Sequence, residues 1–249
     1  MRHLIFLIVI LSFFSCSKND ELQENILADF IELNSSLELA DLIACAGGKE
    51  DGLFGAGTEP TAVFFYPIEG ATDFRYFEAE NVADSLDFSK YVAKDLIAEP
   101  IFNGYLWKFN NVPFTGERMG VVTYRTPGKL HTCTPIRQKT PVKPTEVNPD
   151  LGNVLEEGVN PTFTWEDGQI KESVIYFQVI SDEDDNFISG TYTFEKNFTF
   201  YELDNVVLNI TDTTALPVLE ANKDYTFTMM GVSEDNWVNL LIQKEFTTN

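Results

Sequence analysis

The chain has 249 residues, 44% of them hydrophobic and 13% aromatic, which is ample for packed cores and excludes wholesale disorder. Its formal charge is −22, from 39 acidic against 17 basic side chains, so phosphate backbones repel it and nucleic acid is excluded as a partner. The length suits two domains of about 100 residues each, and 21 Phe and 9 Tyr lean toward β structure.

At the start, Arg2 precedes an apolar run from Leu4 to Phe14, followed by Ser15 and Cys16. The run is too short to cross a bilayer, which takes roughly 20 apolar residues, and fits a signal-peptide core over residues 1–15. Ending on a small residue and a cysteine, it resembles a bacterial lipoprotein signal. The tract Ser17-Lys18-Asn19-Asp20-Glu21 resembles the Lys-plus-acidic segment of surface-exported lipoproteins of the Bacteroidetes. The resemblance implies that Cys16 is lipidated and becomes the mature N-terminus. It also implies that the chain is anchored to outer-membrane lipid and exposed at the cell surface. An ordinary secretory signal with a bystander Cys16 is the alternative.

With Cys16 consumed by lipid, Cys45 and Cys133 remain in an oxidising compartment. They are a candidate disulfide, worth about 4 kcal/mol in the chain-entropy account; the alternative is two buried thiols in adjacent strands. His3 leaves with the signal, which leaves His131. A His-rich zinc site cannot be built, and any Ser/His/Asp device depends on His131.

Residues 16–38 read as the lipidated Cys and a tether. Asp20 with Gln23 suggests a capping box, and Leu22, Ile26, Phe30 and Leu33 share one helical stripe, so a short helix is expected; an unstructured stalk competes. Residues 39–138 read as a first β-sandwich, with strands over 39–46, 61–66, 73–80 and 104–109. A hairpin follows over 120–135, turning on Thr126-Pro127-Gly128-Lys129 with the Pro-Gly pair of a type II turn. Residues 139–150, with Pro141, Pro144 and Pro149, read as a stiff extended linker.

Residues 151–249 read as a second sandwich, with strands at 161–166 (PTFTWE), 174–180 (VIYFQVI), 187–194, 225–232 and 237–246. Leu219 followed by Tyr225 at the head of an alternating strand resembles the tyrosine corner of immunoglobulin-like sandwiches, in which the phenol bonds back across the loop. Together with the Trp165 strand this resembles a fibronectin type III fold, and the first unit repeats the plan faintly. The expected architecture is all-β: two tandem immunoglobulin/fibronectin III-like β-sandwiches. In that plan the first and last strands of a sandwich are neighbours, which would bring Cys45 near Cys133.

Candidate sites are few. The turn Asp182-Glu183-Asp184-Asp185-Asn186 offers oxygen ligands but lacks the Gly and distal Glu of an EF-hand loop, so a solvated tip is expected and no metal site. Trp237, after Ser233-Glu234-Asp235-Asn236, is the candidate ligand contact. Exposed, it could stack on a sugar or anchor a protein, but packing at the sandwich end is the favoured reading. Trp165 and Trp107 are expected in cores. His131 neighbours Cys133 with no orienting group, which argues against a thiol nucleophile. Asp84-Ser85-Leu86 and Asp212-Thr213-Thr214 resemble the O-glycosylation motif of Bacteroidetes envelope proteins. The reading is a non-enzymatic envelope lipoprotein, without cofactor, that acts as a binding or scaffolding module of unknown ligand, its partner an envelope protein or a glycan. A glycan-binding lipoprotein of a polysaccharide uptake system is the alternative.

Overall fold

The computed structural model describes residues 21–49, 52–54, 61–111, 115–156, 158–211 and 214–249; the residues read as a signal peptide, Cys16, and Asp212 and Thr213 lie outside the described residues. The N-terminal part carries α1 (Leu27–Leu33) and then β1 (Glu38–Asp41), β2 (Ala44–Gly48), β3 (Thr61–Phe65), β4 (Thr72–Ala79), β5 (Val92–Lys94), β6 (Ala98–Ile101), β7 (Leu106–Asn111), β8 (Arg118–Thr126), β9 (Lys129–Thr132) and β10 (Ile136–Gln138). The C-terminal part carries β11 (Glu146–Val147), β12 (Gly152–Glu156), β13 (Thr162–Trp165), β14 (Ile175–Asp182), β15 (Phe187–Thr193), β16 (Asn197–Thr199), β17 (Val206–Asn209), β18 (Asp224–Val232) and β19 (Val238–Thr247).

These strands form four sheets. Sheet I has the order β1-β9-β8-β4-β5 with β10 also on β8, and sheet II has β2-β3-β7-β6. Sheet III runs β11-β19-β18-β14-β15-β17, and sheet IV runs β12-β13-β16. The protein is all-β, its sheets paired as immunoglobulin/fibronectin III-like sandwiches. The alternation of side chains explains the stacking, since successive residues of a strand face opposite ways. On β3, Val63 and Phe65 join the core between sheets I and II, whereas Ala62 and Phe64 turn toward sheet III. On β14 and β18, Phe177, Val179, Met230 and Val232 meet sheet II, whereas Tyr176, Ile180, Phe227 and Met229 meet sheet IV. Sheets II and III are therefore covered on both faces, and the order of layers is I, II, III, IV.

Local chemistry sets the corners. The β8–β9 hairpin turns on Pro127-Gly128 with Gly128 at φ +81°, the value a type II turn requires at that position. The Tyr225 phenol accepts a hydrogen bond from the Glu220 amide at 2.9 Å, with Leu219 buried beneath it, so the tyrosine corner is formed. The first strand breaks at Leu42-Ile43 and changes sheets, β1 pairing with β9 in parallel and β2 with β3.

The expected helix is present but shorter, and it is docked on the first sandwich. It begins at Leu27 without a side-chain cap, and the Asp29 carboxylate accepts from the Gln23 amide at 2.9 Å. Leu27 and Phe30 are fully buried, with the Arg75 guanidinium 4.4 Å over the Phe30 ring, whereas Leu22 and Leu33 are exposed.

Residues 139–150 are packed along much of their length. Thr140 bonds Thr61, and the Thr145 hydroxyl donates to the Val238 carbonyl at 2.8 Å while accepting from the Gly48 amide at 3.0 Å. Residues 146 and 147 add a parallel strand to β19.

Candidate functional site

The features that sequence singled out are placed first. Trp237 is fully buried, at 0% exposure, in the core between sheets I and II. Its indole N–H donates to the Lys143 carbonyl at 3.0 Å. The turn that carries it docks on the first sandwich through three more bonds: the Ala46 amide to the Asn236 carbonyl at 2.9 Å, the Arg137 amide to the Asp235 carbonyl at 3.0 Å, and Asn236 Nδ2 to Thr134 Oγ1 at 2.9 Å. The expectation of a ligand platform at Trp237 is corrected, because both faces of its ring are covered by the chain's own core.

Asp235 completes the dock with an ion pair to the buried Lys139 ammonium at 2.6 Å. Burial pushes the Asp235 carboxyl upward, but the Lys139 ammonium and the Ser233 hydroxyl outweigh it and hold the group below its ordinary value.

The disulfide considered for Cys45 and Cys133 is not formed; both are free thiols. Cys133 lies in the core between sheets I and II, where its sulfur accepts from the Val122 amide at 3.2 Å. Cys45 lies on the opposite face of β2, against the core between sheets II and III, so the backbone of sheet II separates the sulfurs. Burial pushes both thiols up to about 12, the neighbouring Cys133 adding to the effect at Cys45. Neither is a poised nucleophile.

His131 is buried too. Its ring stacks on Tyr124 at 4.5 Å, with Nε2 at 3.0 Å from Thr126 Oγ1 and Nδ1 at 3.3 Å from the Asp41 carbonyl. Asp182 spends its carboxylate on its own turn, accepting from the amides of Asp184 and Asn186 at 3.0 and 2.8 Å and from Asn186 Nδ2 at 2.9 Å. Trp165 is core, as expected, and Trp107 is partly buried against Phe74 at 4.8 Å. Ser85 gives its carbonyl to the Tyr91 hydroxyl at 2.8 Å beside the exposed Leu86.

One concavity built by both halves of the chain lies between sheets II and III. It is an apolar cleft of about 190 Å³, walled by Phe64 and Leu106 of sheet II and by Phe177, Tyr192 and Met230 of sheet III. Ile43, Cys45, Tyr66 and Leu208 surround its mouth. Phe177 and Tyr192 stack at 4.4 Å on one wall. A second aromatic row closes the adjacent seam: Tyr66 stacks on Tyr105 at 5.8 Å, and Tyr105 on Phe187 at 3.7 Å. Both tyrosine hydroxyls donate to the Ile210 carbonyl, at 3.5 Å from Tyr66 and 2.8 Å from Tyr105.

A larger groove of about 670 Å³ runs past Leu53, Pro100–Gly104, Asp185 and Gln243, but it is open and stands next to segments outside the described residues. The cleft is the better candidate because its walls are defined. It was not foreseen from sequence. A signal for it exists in AVFF and YFQVI, where apolar residues fall on both faces of the strand, more than a sandwich with one solvated face needs.

No protein-family model matches the chain, and no curated protein sequence does. Among solved structures the chain is similar to one titled "Crystal structure of tetra-tandem repeat in extending region of large adhesion protein", at 10% identity and a TM-score of 0.24. The match covers 82% of this chain and 48% of that one, so the chain spans about half the length of that structure. A likeness of this size carries no argument about function.

Proposed function

We propose that the chain is a non-enzymatic cell-envelope lipoprotein, held to outer-membrane lipid through Cys16, that acts as a binding or scaffolding module for an envelope partner. The observation that carries the reading is the cleft between sheets II and III. It is walled by apolar side chains, and the Tyr66 hydroxyl at its mouth is already bonded to Ile210, so it offers a surface that holds rather than transforms. The chemistry of the reactive side chains supports it. His131 has polar neighbours at both ring nitrogens, and burial suppresses the thiolates of Cys45 and Cys133. The charge of −22 keeps nucleic acid out of the list of partners.

A glycan platform is not retained in this reading, because its aromatic residue, Trp237, is enclosed. The anchor is tested by fractionation of cells expressing Cys16→Ser. Release of the variant to the soluble fraction is expected, and retention in the membrane overturns the lipoprotein assignment.

A further inference from the structure

We propose that the cleft between sheets II and III is a binding site for a small apolar molecule, an aromatic ring or short hydrocarbon group, admitted past Ile43, Tyr66 and Leu208. The inference deepens the binding-module reading and rests on it.

Size is the first argument. An apolar cavity of about 150 Å³ stays dry and takes up benzene or xenon; this one is about 190 Å³. Wall chemistry is the second. Phe64, Leu106 and Phe177 contribute no donor or acceptor, Met230 only a weakly accepting thioether and Tyr192 one hydroxyl, so a water finds few of the two to four polar partners it needs there. Two of the polar groups that line the cleft are spent elsewhere: the Tyr66 hydroxyl donates to Ile210, and Asn236 Nδ2 donates to Thr134. The thiol of Cys45, kept protonated by burial, adds a soft and weakly polar surface.

Rigidity is the third argument. Phe64, Leu106, Phe177, Tyr192 and Met230 are each buried and belong to strands paired on both sides, so the walls cannot collapse to fill the space. A rigid apolar wall that water covers poorly gains by exchanging that water for an apolar guest. The fourth argument is access. Leu208 on β17 keeps 40% of its surface exposed beside the mouth, so the space is reached from solvent without separating the two inner sheets.

The test uses the full chain carrying Cys16→Ser, so that neither lipid nor detergent competes for the cleft. Xenon is expected to occupy pressurised crystals between Leu106 and Phe177, and indole is expected to raise the melting midpoint of the protein in solution. Cys45→Phe, which grows a ring into the space, is expected to raise the midpoint by itself and to remove the indole effect. An empty cleft under xenon together with no response to indole overturns the proposal. So does an indole effect that survives unchanged in Cys45→Phe. Either failure leaves the membrane anchor, tested by fractionation, as a separate question.

Discussion

Two turns at opposite ends of sheet III look alike in sequence and behave oppositely. Asp182-Glu183-Asp184-Asp185-Asn186 joins β14 to β15, and Ser233-Glu234-Asp235-Asn236-Trp237 joins β18 to β19. Each is acidic, polar and shaped by a carboxylate that accepts bonds from within its own turn. The first closes on itself, and Asp182 satisfies its own loop. The second is drawn into the neighbouring sandwich, where Trp237 fills the core and Asp235 meets Lys139. Turn chemistry decides how a chain reverses, and the surface waiting nearby decides whether the reversal faces water.

The sharpest way to break this contrast is Trp237→Ala. Removing a fully buried indole costs about 3–5 kcal/mol, and because its core belongs to the first sandwich, both halves should lose stability in one denaturant transition. Two well-separated transitions in the unmodified protein would contradict the shared core. Next comes Asp235→Ala, which leaves the Lys139 ammonium buried without its partner and is expected to cost about 2–3 kcal/mol. Lys139→Met in the same chain should restore part of the loss, as read from urea midpoints.

The thiols supply a pH test of the docked region. Unfolded thiols ionise near the ordinary 9.0, whereas folded Cys45 and Cys133 do so at about 12. The unfolded state therefore sheds protons first, so stability is full below about pH 9 and falls as pH rises toward 12. Cys133→Ala should flatten that fall in urea titrations between pH 8 and 11. In denaturant without reductant, both cysteines should react with a thiol reagent. The solvated turn gives the smallest effect. Asp182→Ala should cost below about 1 kcal/mol near neutrality. Burial pushes the Asp182 carboxyl up, but bonds from Asn186 and the turn amides hold it below its ordinary 3.8. Its contribution is therefore lost as pH falls below that value, and the variant and parent should converge in acid.

Much of the architecture was readable because its signals are local. The period-two runs of β14, β18 and β19, the Pro127-Gly128 turn and the Leu219–Tyr225 corner each carry their reason within a few residues. The short strands β5, β6, β10, β11, β12, β16 and β17 have two to five residues each, too few for an alternation to stand out in the sequence. The candidate cleft was not readable because its walls come from distant parts of the chain. Phe64 and Phe177 are 113 positions apart in sequence, and nothing near either names the other. Packing of Trp237 was the favoured reading and is what the structure shows, but its partner was not legible, since an aromatic at a polar turn reads the same whether a ligand or another part of the chain covers it.

The burial of Trp237 beside Ala46 also sets an order of events. In most multidomain chains the N-terminal unit folds first as the polypeptide emerges. Here the core of the first unit has a place that only the β18–β19 turn can fill, so that unit stays unfinished until nearly the whole chain has been made. Synthesis can outrun completion of the fold, and the first core stays open until the β18–β19 turn arrives.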